Sequence, residues 1–345
     1  MKLNLKLLAP LLLAALLAGC GPDEARRHTI LNVSYDPTRE LYRDLNAAFI
    51  SHCDDIGLHN VRVEQSHGGS GKQARAVMDG LDADVVTLAL GYDIDILAHY
   101  GHLLKTDWAT RLPNNSSPYY STIVFLVREG NPKGIRDWGD LVKDGVTVVM
   151  PNPKTSGGAR WNYLAAWYWA KGRPGLSADG DVMDYLVELF RHTPVLSTGA
   201  RGATNTFIQQ GMGDVLVSWE NEALMSQNDH PMDGYEIVYP SVSVKAEPPV
   251  ALVDMSVDLH ENRALVESYL EFLYSDQAQQ IVAKHFYRPW KPSVAAPEDI
   301  GRFKVIPMIT VDEEFGGWMA AHAAHFGKGG TFERVLKRAT EGQGK

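Results

Sequence analysis

Three short glycine-rich segments hold the residues best suited to chemistry in this chain. They are Ser66-His67-Gly68-Gly69-Ser70-Gly71-Lys72, Thr155-Ser156-Gly157-Gly158-Ala159-Arg160 and Gly199-Ala200-Arg201-Gly202. Each follows an apolar run and leads into a helical pattern, so each presents bare backbone N–H groups at a helix N-terminus. Such an end carries roughly half a positive charge and several unpaired donors. One such turn is common. Three of them, from distant parts of the chain, point to a small oxyanion held by converging loops.

Other chemistries fit less well. SHGGSGKQ departs from a phosphate-binding P-loop because Ser66 stands where the first glycine belongs and Gln73 where the metal-binding hydroxyl belongs. It also misses a G-x-S-x-G nucleophile elbow, since Lys72 occupies the last glycine position. Ser70 and Ser156 therefore read as hydrogen-bond donors or helix caps rather than nucleophiles. His67 has no Asp or Cys placed near it in sequence to make it a general base. His322 and His325 share a helix face but lack a third metal ligand, so they read as surface histidines. Asp312, Glu313 and Glu314 read as solvated charge, and Trp219 as an indole N–H delivered by an apolar strand.

The elements that must position these loops alternate strand and helix from Thr29 onward. Ile30–Val33 is an apolar strand, followed by a helix with Asp36 as N-cap and Pro37 at its first position. A strand around 61–63 leads to SHGGSGK, and the run 84–90 is apolar enough for a central parallel strand. Leu112–Pro118 breaks the rhythm as a first crossover. Val146–Met150 and Asp214–Ser218 are buried strands of a second α/β unit, with Trp219 at the end of the latter, facing the crevice of an open sheet. Residues 246–253 are the return crossing, and helices near 264–273 and 278–285 finish the core. The fold class is α/β, with two doubly wound lobes around a cleft. The expected spans are 29–117 plus 247–345 for the first lobe and 118–246 for the second.

With 345 residues, 45% hydrophobic and 22% charged, the chain is a globular protein large enough for two domains. A net charge of −9 argues against a nucleic-acid partner, whose phosphates need a basic face. Lys2, Lys6 and the apolar run Leu7–Leu17 read as a secretory signal over residues 1–19. Leu17-Ala18-Gly19-Cys20 resembles the lipobox of bacterial lipoproteins, which implies that Cys20 becomes a lipidated first residue. Ordinary cleavage nearby is the other reading. Residues 20–28 are then a lipid-anchored flexible tether, and Cys53, the one remaining cysteine, is a buried small hydrophobe.

The segments LNVSYDPTREL (31–41), QSHGGSGKQA (65–74), PNPKTSGGARWNYLAAW (151–167), GARGATNTF (199–207) and GDVLVSWENEA (213–223) resemble the extracytoplasmic sulfate-binding proteins of bacterial ABC importers. The resemblance runs from about Ile30 to Phe332. It implies a type II periplasmic-binding-protein fold, two lobes joined by two crossovers with an interlobe ligand cleft. It also implies sulfate held by backbone N–H groups of Asp36, Ser70, Gly157, Gly158 and Ala200, the Ser156 hydroxyl and the Trp219 indole. Membrane permease subunits are the implied partners, with no cofactor and a monomeric, periplasmic, non-enzymatic protein. A thiosulfate-binding paralogue, in which Phe typically replaces Trp219, is the near alternative. A secreted hydrolase of sulfate or phosphate esters is the reading from another class.

Overall fold

The structure, a computed structural model, describes residues 24–176 and 178–341. The expected signal segment 1–19 and the lipidation site Cys20 lie outside these residues. Of the expected tether, Glu24–Arg27 forms a helical turn instead of a flexible stretch. Arg27 reaches Glu261 at 2.5 Å and Arg26 reaches Asp82 at 3.5 Å, which docks the turn on the protein surface.

The chain opens with β1 (Thr29–Tyr35), α1 (Arg39–Asp55), β2 (Arg62–Gly68), α2 (Ser70–Met78), β3 (Val85–Thr87) and α3 (Gly91–His99). It continues with β4 (Ile123–Val127), β5 (Val148–Pro151), α4 (Gly157–Lys171), α5 (Asp179–Arg191), β6 (Leu196–Ser197) and α6 (Ala200–Ile208). Then follow β7 (Val215–Trp219), α7 (Glu220–Asp229), β8 (Glu236–Val238), β9 (Ser243–Val244), β10 (Val250–Leu252), α8 (Arg263–Phe272) and α9 (Asp276–Lys284). Near the C-terminus come β11 (Met308–Ile309) and α10 (Thr331–Glu341).

Two sheets organise these elements, ordered β10-β3-β1-β2 and β6-β5-β7-β4-β8. Each is mixed and not purely parallel: β10 runs against β3, and β4 runs against both β7 and β8. Both antiparallel strands follow a passage between the sheets, so they enter from the opposite end. At that junction the two passages lie side by side through the antiparallel bridge Ser121–Ala246.

Alternate side chains pack on opposite faces of each sheet, as period-2 strands require. In β1, Ile30 joins Phe49 and Tyr269 on one face, and Val33 joins Val77 and Leu97 on the other. In β4, Phe125 joins Trp138 and Leu164, and Leu126 joins Phe207. Cys53 is 1% exposed, a core residue as expected.

The last stretch of the chain leaves the first sheet. β11 pairs in parallel with β9, and α10 lays Phe332, Val335 and Ala339 into the apolar cluster of Phe125 and Leu164. The rings of Phe332 and Phe190, the latter on α5, are 5.3 Å apart. The end of the expected first-lobe span 247–345 thus sits with the second sheet, after a third passage of the chain. The reason is local, because the apolar stripe of α10 finds its complement on α5. Burying one phenylalanine in this way stabilises by about 1.5–3 kcal/mol. Among the described residues no helix is long and apolar enough to cross a membrane.

Candidate functional site

Each glycine loop opens a helix, and each does so differently. Gly69 is the N-cap of α2 and Ser70 its first residue. The Ser70 hydroxyl therefore caps nothing: it donates to Asp93 Oδ2 at 2.5 Å and accepts from the Ala89 N–H at 2.9 Å. That leaves the Ser70 backbone N–H at the helix end without an intrahelical acceptor. Burial pushes the Asp93 carboxyl above the usual carboxylate range, with Arg160 and the Ser70 bond pulling it back. Ser156, by contrast, is a true N-cap, accepting from the Ala159 N–H at 3.4 Å, so its own O–H remains to donate. Gly199 is the extended N-cap of α6, and Ala200 its first residue.

Asp36 departs from expectation. It is not a cap; Tyr35 holds the cap position of a 3-10 turn over Asp36–Thr38 without a side-chain bond, and α1 follows at Arg39. Pro37 lacks an N–H, and the turn is held by Thr38, whose hydroxyl donates to the Tyr35 carbonyl at 2.7 Å. The Asp36 carboxylate instead lies 3.9 Å from Arg39. Its backbone N–H is at the free end of the turn. Sequence reading missed Gln73, whose Nε2 donates to the carbonyls of Ser34 at 3.1 Å and Ser66 at 2.7 Å. This side chain ties the C-terminal ends of β1 and β2 together behind the first glycine loop.

All seven expected site residues line one small cavity. Asp36 and Ser70 come from the first sheet; Ser156, Gly157, Gly158, Ala200 and Trp219 come from the second. The cavity therefore sits at the C-terminal ends of strands in both sheets, where open α/β sheets place ligands. Among the described residues no lysine or arginine lines it. Trp219 ends β7 and is 1% exposed, yet its indole N–H has no hydrogen-bond partner among the described residues. A buried, unsatisfied donor costs about 1–3 kcal/mol, so it calls for an acceptor at this spot.

Two glycines are required by close approach. A Cβ on Gly158 would fall 2.3 Å from Trp219 Nε1, and one on Gly157 would fall 2.6 Å from the Ala89 Cβ. The first contact puts the indole edge on the N-terminus of α4. The second lets the two sheets' loops meet. Trp161 Nε1 also bridges the halves, donating to the Ala89 carbonyl at 2.8 Å.

Arg201, second in α6, is committed to carboxylates on both sides. It pairs bidentately with Glu40 of α1, at 3.2 and 3.1 Å, and with Glu222 of α7, at 3.0 and 2.9 Å. Burial pushes the Glu222 carboxyl up, with Arg201 opposing. Burial also acts upward on Glu40, but Arg201 holds that carboxyl below its usual value. Neither expected surface histidine is simply on the surface. His322 stacks on Tyr92 with centroids 3.7 Å apart, and His325 is buried against Tyr163 and Trp167. Burial pushes both down to about 4. Among the described residues no group of three or more His, Cys, Asp or Glu is placed to hold a metal ion.

A cavity of converging helix ends between two α/β halves is the architecture of a solute-binding protein, and comparison with known proteins agrees. The family described as bacterial extracellular solute-binding protein matches residues 30–288. The chain belongs to this family. It is 53% identical over 309 residues to a sulfate-binding protein of Salmonella typhimurium, covering 90% of this chain and 93% of that one. It is 47% identical to a thiosulfate-binding protein of Pseudomonas aeruginosa, covering 96% and 98% of the two chains. Among solved structures, the sulfate-binding protein SubI of Mycobacterium tuberculosis superposes with a TM-score of 0.76 at 32% identity, covering 87% of this chain and 99% of that one. The type II fold expected from the sequence is thus the fold of this family member.

Proposed function

We propose that this protein binds sulfate in the interlobe cavity and hands it to the permease of an ABC importer on the outer side of a membrane. The observation that carries the reading is the buried, unpartnered indole N–H of Trp219 in a cavity lined by helix N-termini and no cationic side chain. Sulfate is a dianion without a proton, and burying it requires thorough hydrogen bonding. Four helix ends, at Asp36, Ser70, Gly157 and Ala200, supply about half a positive charge each, or about +2 before screening. Further donors are the N–H of Gly158, the Ser156 hydroxyl and the Trp219 indole. Charge-assisted bonds of about 1.5–3 kcal/mol each make tight binding feasible without a salt bridge.

The same donors explain selectivity. Phosphate at neutral pH keeps a proton, which would meet donors where it needs an acceptor. The one lining carboxylate, Asp36, is engaged at the rim by Arg39 and lies against Gly199. The Ser70 hydroxyl is engaged on both sides, donating to Asp93 and accepting from the Ala89 N–H, so it holds the loops together rather than attacking a ligand, and we infer binding without turnover. The lobes in this reading are built on the two sheets, with the segment after about residue 308 riding on the second. Cys20 is the lipid anchor, and the protein acts as a monomer. The test is to unfold the purified protein, dialyse away bound anions, refold it and titrate sulfate while following the melting temperature. One sulfate-dependent upward shift is expected, and no shift at millimolar sulfate refutes the reading.

A further inference from the structure

Outside this cavity lies a second, open chamber that shares Asp36 and Gly69 with it. Four cations line this chamber: Lys72 and Arg75 from α2, and Lys154 and Arg160 from the second sheet's side. Among the described residues, Lys72, Arg75 and Arg160 have no carboxylate within ion-pair distance; Lys154 pairs with Glu333 at 3.2 Å. This concentration stands out in a chain of net charge −9.

The placement is also unfavourable to the helices that carry it. A cation in the first turn opposes the helix dipole by several tenths of a kcal/mol. α2, α4 and α6, like α8, have no acidic residue in their first turns, whereas α1, α3, α5, α7, α9 and α10 do. Lys72 sits in the first turn of α2, and Arg160 is the fourth residue of α4. Two carboxylates line the chamber too. Asp36 is neutralised in part by Arg39, and Asp93 is buried and bonded to Ser70. The four cations outnumber the two carboxylates that line the chamber. Its inner wall is narrow: a Cβ on Gly69 would fall 3.1 Å from the Thr155 carbonyl.

We propose that this basic chamber is an outer, transient site for a hydrated oxyanion dianion, which concentrates the ligand at the mouth of the inner cavity. The proposal rests on the anion-binding reading of the inner cavity. A lined cleft of one sign raises association rates by about 10- to 1000-fold and does so less as salt rises. It therefore makes capture fast while the inner donors set how long the anion stays.

The test is stopped-flow tryptophan fluorescence with sodium sulfate on the refolded protein and on K72Q/R75Q, both of whose altered side chains are exposed. At about 10 mM ionic strength the variant should associate about 3- to 10-fold more slowly, with a shallower fall of rate against added sodium chloride, since Lys154 and Arg160 remain. The gap should close by about 0.5 M salt, where charges are screened within a few ångströms. Dissociation rates should agree within about twofold; a variant that merely distorts the glycine loop would dissociate faster. Equal association rates with equal salt slopes, or a change confined to dissociation, overturn the chamber proposal alone. Absence of any sulfate signal in the unaltered protein by fluorescence and calorimetry overturns the inner-site reading with it.

Discussion

Replacing Trp219 by Phe separates the binding role of this side chain from its packing role, because the two respond with opposite signs. The indole is 1% exposed, with its ring 5.8 Å from Tyr35 and 6.3 Å from Trp161. Phe keeps most of that apolar contact but removes the donor. Lost ring volume destabilises the sulfate-free fold by about 1–2 kcal/mol, while removal of an unsatisfied N–H returns a similar amount. The sulfate-free melting temperature should therefore move by only a few degrees. Binding has no such compensation. One charge-assisted bond to a buried dianion is lost, about 1.5–3 kcal/mol, which raises the dissociation constant about 10- to 150-fold. Calorimetric titration and thermal melts on the same preparation measure both. A dissociation constant within twofold of the parent protein, with a fall in melting temperature, would make Trp219 a packing residue and remove the main donor argument.

Gly158→Ala should cost more than 10-fold in affinity, since its Cβ collides with Trp219 Nε1 at 2.3 Å and the indole or the helix end must move; titration of the folded variant checks this. Glu40→Gln should weaken sulfate binding about 5-fold, near 1 kcal/mol, through faster dissociation, because Glu40 is a partly exposed partner joining Arg201 across the cleft. His325 should make the fold acid-sensitive. It is neutral when folded, with its value pushed to about 4 by burial, whereas the unfolded chain protonates near 6.5. Its contribution is complete above pH 6.5 and declines as pH falls toward 4, by at most about 3 kcal/mol. The buried carboxyls Asp93 and Glu222 are raised and act in the opposite direction, so the comparison must be with His325→Phe, which should show a shallower fall of melting temperature over that window. Cys20→Ser should release the protein from the membrane fraction; a parent protein whose N-terminal peptide carries no lipid mass contradicts the anchor.

The helix ends at Gly69–Ser70, Ser156–Gly157 and Gly199–Ala200 were legible in the sequence because their signals are local: an apolar strand, a glycine pair, then a periodic helix. Trp219 was legible as the last residue of such a strand. What escaped depends on residues far along the chain. Ser70 looked like a cap, and only the fold reveals Asp93, 23 positions away, as the acceptor of its hydroxyl. Arg201 sits in the third glycine loop, and only the fold reveals Glu40, 161 positions away, as a partner of its guanidinium. Asp36 failed as a cap because Pro37 and Thr38 set a tight turn there. The docking of α10 on α5 could not be read from either helix alone, since both simply present an apolar stripe.

The most direct test of the central claim is isothermal titration of the refolded, anion-free protein with sulfate, thiosulfate and phosphate in chloride buffer near pH 8. A cage of donors predicts one sulfate per chain, weaker or comparable thiosulfate, and phosphate at least about 1000-fold weaker, about 4 kcal/mol, because its remaining proton has no acceptor. Phosphate binding as tight as sulfate, or no heat with sulfate at all, would contradict it.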